Sequence, residues 1–308
     1  MGRRVLTATV MTFHEKYQRN AATYAPSDLN GDDLIDVFHN WAVAIPDEDR
    51  AFSKQQTWVS VTSARRVAPR VELLDMRVGS YGERGEVLDV STGEVVHEIT
   101  DDEAPVGSIR ALLFVPEKGE RAYFFAEESS RGSAGGRIMG MFKRYFSNYS
   151  DSVTMDTARE VEAEAWIELA NLTEVEVRVA GKSVNIEDGS IVKVGRLSYI
   201  ARPERGLKFF PQKLLGKLSR QDILKEVVSV PEFDTDYEVY VTMERDRRSK
   251  KFLLGQNSGP AIREVMTEAG EAPLSDKILV ERCAERVSDL LQRHGGVWES
   301  AWSNQSEE

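Results

Sequence analysis

Residues 123–146 read YFFAEESSRGSAGGRIMGMFKRYF. An apolar run from Tyr123 to Ala126 stops at Glu127 and Glu128, and a small-residue loop follows. Apolar residues then recur at helical spacing from Ile138 to Phe146. Strand, glycine loop and helix is an order in which many proteins hold phosphate, because the N–H groups of a helix start attract anions. A Walker loop needs GxxxxGK and then Ser or Thr. Here Gly132 leads through Ser133, Gly135 and Gly136 to Arg137 and Ile138, with no Lys-Ser/Thr pair. The dinucleotide pattern GxGxxG fails too, since Gly132 and Gly135 stand three apart. Two readings remain. In one, Ser133, Gly135 and Gly136 hold an anion by N–H groups, helped by Arg131, Arg137, Lys143 and Arg144. In the simpler one, the loop is a turn that launches a packing helix, with Ile138, Met139, Met141, Phe142, Tyr145, Phe146 and Tyr149 on a sheet.

Upstream, residues 57–128 read as successive strands: TWVSVTS, RVELLDMRV, GEVLDV, GEVVHEI, SIRALLFVP and RAYFFAE, separated by turn-rich GSYGERG, STG and PEKGE. VLDVSTGEVVHEI is a hairpin in which Gly93 supplies a positive φ. Residues 5–13 alternate as a strand, and DDLIDVFHNWAVAI is a short helix with Leu34, Ile35, Phe38 and Trp41 on one side.

Downstream, Thr157 to Glu160 fits a capping box for a helix from Ala158 to Asn171. EVEVRVAGKSVNIEDGSIVKVG returns to strands, and residues 211–228 form a helix with Pro211 in its first turn. YEVYVTMERDRRSKKFLLG is a hairpin with a charged tip, and PAIREVMTEAG a short helix. Ser275 to His294 is an amphipathic helix with Leu279, Val280, Cys283, Val287, Leu290 and Leu291 inside. The last dozen residues read as loose. The expected class is α+β: a β-rich N-terminal half with a mixed or antiparallel sheet, and an α+β C-terminal half ending in a long amphipathic helix. The domains expected are 1–150 and 151–308, with the break in SNYSDSVTMD (147–156).

The chain has 308 residues, 41% hydrophobic and 30% charged, with a net charge of −11. That composition suits a water-soluble folded chain and argues against a generic nucleic-acid coat, while leaving room for local basic patches. One cysteine excludes an internal disulfide and a multi-cysteine zinc site, and suits a reducing cytoplasm. The start MGRRVLTATVMTF reads as a strand rather than a signal peptide, and Leu6 stands where myristoylation needs Ser or Thr. No stretch approaches the roughly 20 apolar residues of a membrane helix, so no membrane role is expected.

Catalytic signals are sparse. Asp28, Asn30 and Asp32 fit the first positions of a calcium loop, but Asp33 and His39 stand where it needs Gly and Glu, so capping is the better reading. His14, His39, His97 and His294 show no metal spacing, and no GxSxG elbow exists. A carboxylate nuclease using Mg²⁺ or Mn²⁺ would draw on Glu232, Asp234, Asp236, Glu238 and Glu244 with Lys250 and Lys251. A solvated hairpin edge accounts for the same residues. Otherwise no cofactor or metal is expected.

Charge is uneven. From Glu72 to Glu128 fourteen acids face five bases. RDRRSKK (245–251) carries Arg245, Arg247, Arg248, Lys250 and Lys251 at a hairpin tip. Arg202, Arg205, Lys208, Lys213, Lys217 and Arg220 interleave with Phe209 and Phe210. Charge with aromatics suits single-stranded nucleic acid, through phosphate contacts and stacking. The expected function is a non-enzymatic cytoplasmic interaction protein. Its basic C-terminal segments would bind nucleic acid or another acidic partner, or join two copies head to tail. Its general look, without a motif behind it, is that of a bacterial accessory protein of mobile-element or phage-defence gene sets. The alternatives are the nuclease, and a protein-binding subunit whose acidic N-terminal half mimics nucleic acid.

Overall fold

Runs such as ALLFV and YFFA are apolar at every position, and strands of that kind must bury both faces. The computed structural model describes residues 2–17, 23–46, 50–52, 56–159, 170–180, 183–185, 191–193, 196–218, 220–229, 237–245, 248–254 and 263–304. The chain divides into two compact units, Met1–Glu160 with Met266–Glu308, and Val161–Val265.

The first unit runs β1 (Arg4–Glu15), α1 (Leu34–Val43), β2 (Ala51–Phe52), β3 (Thr57–Ala68), β4 (Val71–Ser80), β5 (Gly85–Leu88), β6 (Val95–Ile99), β7 (Val106–Phe114), β8 (Arg121–Ser129), β9 (Gly132–Ser133), α2 (Gly135–Tyr149) and β10 (Val153–Arg159). Its sheet is antiparallel in the order β2-β3-β4-β7-β8-β1, with β10 also on β1 and β9 also on β8. β5 and β6 pair only with each other.

Alternate residues of each strand enter different cores. Phe124 and Ala126 join Leu113, Met76 and Phe13 beneath α1 and α2. Tyr123 and Phe125 join Leu112, Leu73 and Leu6 on the opposite face. Phe38 and Phe142 meet edge-on at 4.9 Å across the first core. Each such ring contributes about 1.5–3 kcal/mol on burial. Asp33 caps α1, accepting from the Ile35 N–H at 3.1 Å, and Arg70 clamps the same carboxylate at 2.6 and 3.0 Å.

The second unit holds β11 (Asn171–Ala180), β12 (Ser183–Asn185), β13 (Ile191–Lys193), β14 (Arg196–Ala201), a 3-10 helix at Gln212–Lys217, α3 (Gln221–Val228), β15 (Tyr237–Arg245) and β16 (Arg248–Leu254). β17 (Arg263–Thr267) begins in it, and the chain passes back to the first unit within that strand. The antiparallel order β14-β11-β15-β16 buries Val175, Val177, Val239, Val241 and Phe252 beneath Leu218 and Leu224. The chain then completes the first unit with α4 (Asp276–Arg293) and a 3-10 turn at Ser300–Ser303. α4 and Trp298 and Trp302 close the second of the first unit's cores.

These findings correct the α+β class. Strand outweighs helix among the described residues, and the fold is β-rich, built on a large antiparallel sheet. Among the described residues after 150, strand still outweighs helix. Thr157, Ala158 and Arg159 do not open a helix; they end β10, opposite Met11, Val10 and Thr9. Residues 160–169 of that expected helix lie outside the described residues, and Asn171, at its expected end, opens β11. Within the expected 260–270 helix, Arg263–Thr267 form β17, and residues 260–262 lie outside the described residues. The single helix expected over 211–228 is two elements, a 3-10 helix at Gln212–Lys217 and α3 at Gln221–Val228. The C-terminal residues are not loose through Asn304, because Trp298 and Trp302 are buried and stack edge-on at 5.2 Å. The 150/151 boundary falls inside the first unit, between α2 and β10, where Val153 pairs with Glu15.

Candidate nucleic-acid interface

Among the described residues of the second unit, some basic side chains are neutralised and others form no ion pair. Arg202 reaches Glu174 at 2.9 Å, Arg220 reaches Asp222 at 2.6 Å and Lys250 approaches Glu264 at 3.6 Å. Lys251 donates to Glu176 at 2.6 Å. Arg205, Lys208, Lys213 and Lys217 are exposed and form no ion pair among the described residues. Arg247 lies outside the described residues, and only the backbone of Arg245 and Arg248 is described.

The loop that carries Arg205 and Lys208 is pinned at both ends. The Arg202 contact to Glu174 holds one end, and the Phe210 N–H donates to the Leu172 carbonyl at 2.9 Å at the other. Between them the Leu207 N–H donates to the Glu204 carbonyl at 2.9 Å, and Gly206 takes a φ of +101°. That left-handed turn favours glycine and sets the two cations on either side of exposed Leu207. Phe210 packs against the core, and Phe209 is half-buried. Lys213 and Lys217 follow on the 3-10 helix.

The charged residues of EVEVRVA were not singled out by any motif, yet they build a buried, charged site in this unit. Glu176 is buried on the sheet face opposite the valines. Arg178 grips it at 2.6 and 3.1 Å. Both Arg178 and Lys251 also lie over the Tyr240 ring, at 4.3 and 5.1 Å from its centroid. Burial opposes ionisation of Glu176, but hydrogen bonds from Arg178, Lys251 and Ser198 outweigh it and hold the carboxyl at about 2. The alternation in EVEVRVA marks a strand, and nothing in it marks Glu176 as buried.

In the first unit, the glycine loop doubles back. β9 pairs with β8, Gly132 against Ser129 and Ser133 against Glu128. Ala134 precedes α2 without a side-chain cap. A Cβ on Gly135 would stand 2.6 Å from that of Ala126, so glycine lets the helix start against the sheet. Ile138, Met139, Met141, Phe142 and Phe146 are buried, while Tyr149 is exposed and stacks on Tyr145. Arg131 and Tyr81 line a groove of about 520 Å³ with Gln56, Glu83 and Arg84. Burial pulls the Arg137 guanidinium below its usual range, against the attraction of Tyr81. Lys143 approaches Asp156 at 3.6 Å, and Arg144 is exposed. The loop thus splits its cations between a groove, a helix flank and open solvent.

Each histidine takes a different neighbour: His14 takes Asp156, His39 takes Glu72, His97 takes Glu103 and His294 takes Arg121. Cys283 is buried on the inner stripe of α4. Asp28 accepts from the Gly31 N–H at 2.8 Å, closing the turn before α1. Among the described residues no three His, Cys, Asp or Glu side chains form a metal-binding group. Glu232, Asp234 and Asp236 lie outside those residues. Glu238 accepts from the Tyr240 hydroxyl at 2.9 Å, and Glu244 pairs across the ladder with Ser249. Among the described residues no helix is long and apolar enough to cross a membrane.

Comparison with protein-family models, with curated proteins and with solved structures finds no match. The class defined by the fold is a β-rich protein with a large antiparallel sheet.

Proposed function

We propose that this is a non-enzymatic cytoplasmic interaction protein that binds single-stranded nucleic acid through the segment from Arg202 to Arg220. One observation carries the reading: Arg205, Lys208, Lys213 and Lys217 are exposed without an ion-pair partner among the described residues, with Phe209 half-buried between them. Cations held by carboxylates have little charge left to offer a phosphate, whereas these four gain only on meeting an anion. Phe209 supplies a ring face on which a base can stack, which tolerates any sequence. The molecule's overall charge of −11 favours a local contact over a coating one.

The test is fluorescence anisotropy with labelled single-stranded DNA and RNA oligonucleotides. Four neutralised phosphates predict an affinity loss of about 50-fold between about 50 and 200 mM salt. Lys208→Ala with Lys213→Ala removes about half of that salt slope. Salt-independent binding, or an unchanged slope in the variant, overturns the reading. Incubation of the same oligonucleotides with Mg²⁺ or Mn²⁺, then with EDTA, tests the non-enzymatic half. EDTA-sensitive cleavage would replace it with a metal-dependent nuclease.

A further inference from the structure

The β5–β6 hairpin stands apart from the sheet of its unit, and no residue of either strand is buried. Val87, Leu88, Val95 and Val96 are 44%, 50%, 50% and 67% exposed, and Val90 at the turn is fully so. An isolated two-stranded hairpin is marginally stable in water, and both of its outer edges offer unpaired backbone groups. The turn itself is well made. Asp89 accepts from the Ser91 and Thr92 N–H groups at 2.7 and 3.1 Å, and Gly93 has a φ of +75°. An ordered arm that presents this many aliphatic side chains is built to be covered.

Charge narrows what covers it. Residues 83–103 carry eight carboxylates and a single cation besides His97, Arg84, which Asp101 already holds at 3.0 Å. Glu86 and Glu98 face each other directly across the ladder. Two such arms brought together would set like charge on like charge, so a symmetric arm-to-arm contact is disfavoured. The chain itself carries the complement. Residues 202–220 hold six cations and one acid, four of those cations are unpaired among the described residues, and Leu207 is 62% exposed among them.

We propose that the β5–β6 arm of one copy docks on the Arg202–Arg220 segment of a second copy. The contact joins two different patches, so it propagates head to tail rather than closing as a two-fold dimer. It uses the cations that the preceding reading assigns to nucleic acid, but it needs no nucleic acid to form. The arm then occupies that segment as an acidic strip in place of a phosphate backbone, and oligonucleotide and arm exclude one another.

The test is sedimentation velocity of the full chain, free of nucleic acid, over a wide range of protein concentration at low and high salt. The expected result is a mass that grows past the monomer with concentration at low salt and returns to it at high salt. Glu86→Lys with Glu98→Lys weakens association at least about tenfold, and so does Lys208→Glu with Lys213→Glu, because each sets like charges face to face. Combining all four substitutions in one chain restores assembly, which a merely structural effect of either pair would not do. A monomer at every concentration overturns the proposal. So does assembly that survives Lys208→Glu with Lys213→Glu, which would mark an arm-to-arm contact, and so does failure of the four-substitution chain to recover while circular dichroism shows it folded. None of these outcomes depends on whether the oligonucleotides bind.

Discussion

Glu127 shows how one buried carboxylate joins distant parts of the chain. It is 1% exposed and accepts from the Arg110 guanidinium at 2.8 and 3.2 Å, from the Arg110 N–H at 2.9 Å and from Arg4 at 2.6 Å. Arg110 continues to Asp276 in the first turn of α4 at 2.7 Å, and Asp276 also takes Arg65 at 3.0 Å. Removing one partner of such a network strands the others without a counter-charge. Glu127→Ala is expected to cost about 3–5 kcal/mol, read as a lower urea midpoint. Glu176 makes a prediction about pH. Its carboxyl lies at about 2 in the folded protein, below an ordinary value of 4.5. Its stabilisation is therefore complete above the unfolded carboxylate range and is lost as the pH falls through about 2. The urea midpoints of the wild type and Glu176→Gln should differ at neutral pH and converge on acidification. A gap that stays constant down to about pH 2 would contradict the assignment of that carboxylate. Neither residue announces itself in the sequence. Each looks like one more surface acid until the strand pairing places it.

At the scale of elements, the opening stretch makes the sharpest prediction. Gly135 starts α2 against Ala126, whereas Gly136 faces open space within 4 Å. Gly135→Ala is expected to destabilise by about 1–3 kcal/mol through overpacking. Gly136→Ala is expected to stabilise by about 0.4–1 kcal/mol through the unfolded chain's lost entropy. Thermal unfolding of the two variants should move in opposite directions. The strands β1 and β3 to β8, with α1, α2 and α4, were legible because each obeys a strong local rule. Apolar runs bounded by turn residues gave β3, β4, β7 and β8, and Ser275 with the six-residue apolar stripe gave α4. The failures share a cause as well. Thr157 opens a capping box, but Thr157, Ala158 and Arg159 pair with β1, and a seven-residue ladder supplies more hydrogen bonds than a cap can. Arg263–Thr267 has the composition of a short helix, and Phe252 and Leu253 of β16 take its first residues into a ladder instead.

At the scale of the whole molecule, charge is the organising feature. The basic residues that looked alike in the sequence are unlike in space. Lys250 and Lys251 are held by Glu264 and Glu176, so neutralising them is expected to lower stability and leave the salt slope of oligonucleotide binding unchanged. Lys208 and Lys213 should behave in the reverse way, losing affinity at constant stability. A urea titration and an anisotropy titration on the two double variants separate the cases.

What the sequence determined by itself is therefore local. It settled which apolar runs are strands, which stripe is a helix face, and that the glycine loop has no Walker lysine. It also located the basic and acidic stretches. The tertiary structure decided the β-rich class, the strand fates of residues 157–159 and 263–267, and which cations among the described residues form no ion pair. The physical reason is range. Periodicity, caps and turn chemistry act over a few residues, whereas ladder pairing and ion pairing join residues such as Arg4 and Glu127, or Glu176 and Lys251, that no local rule can bring together.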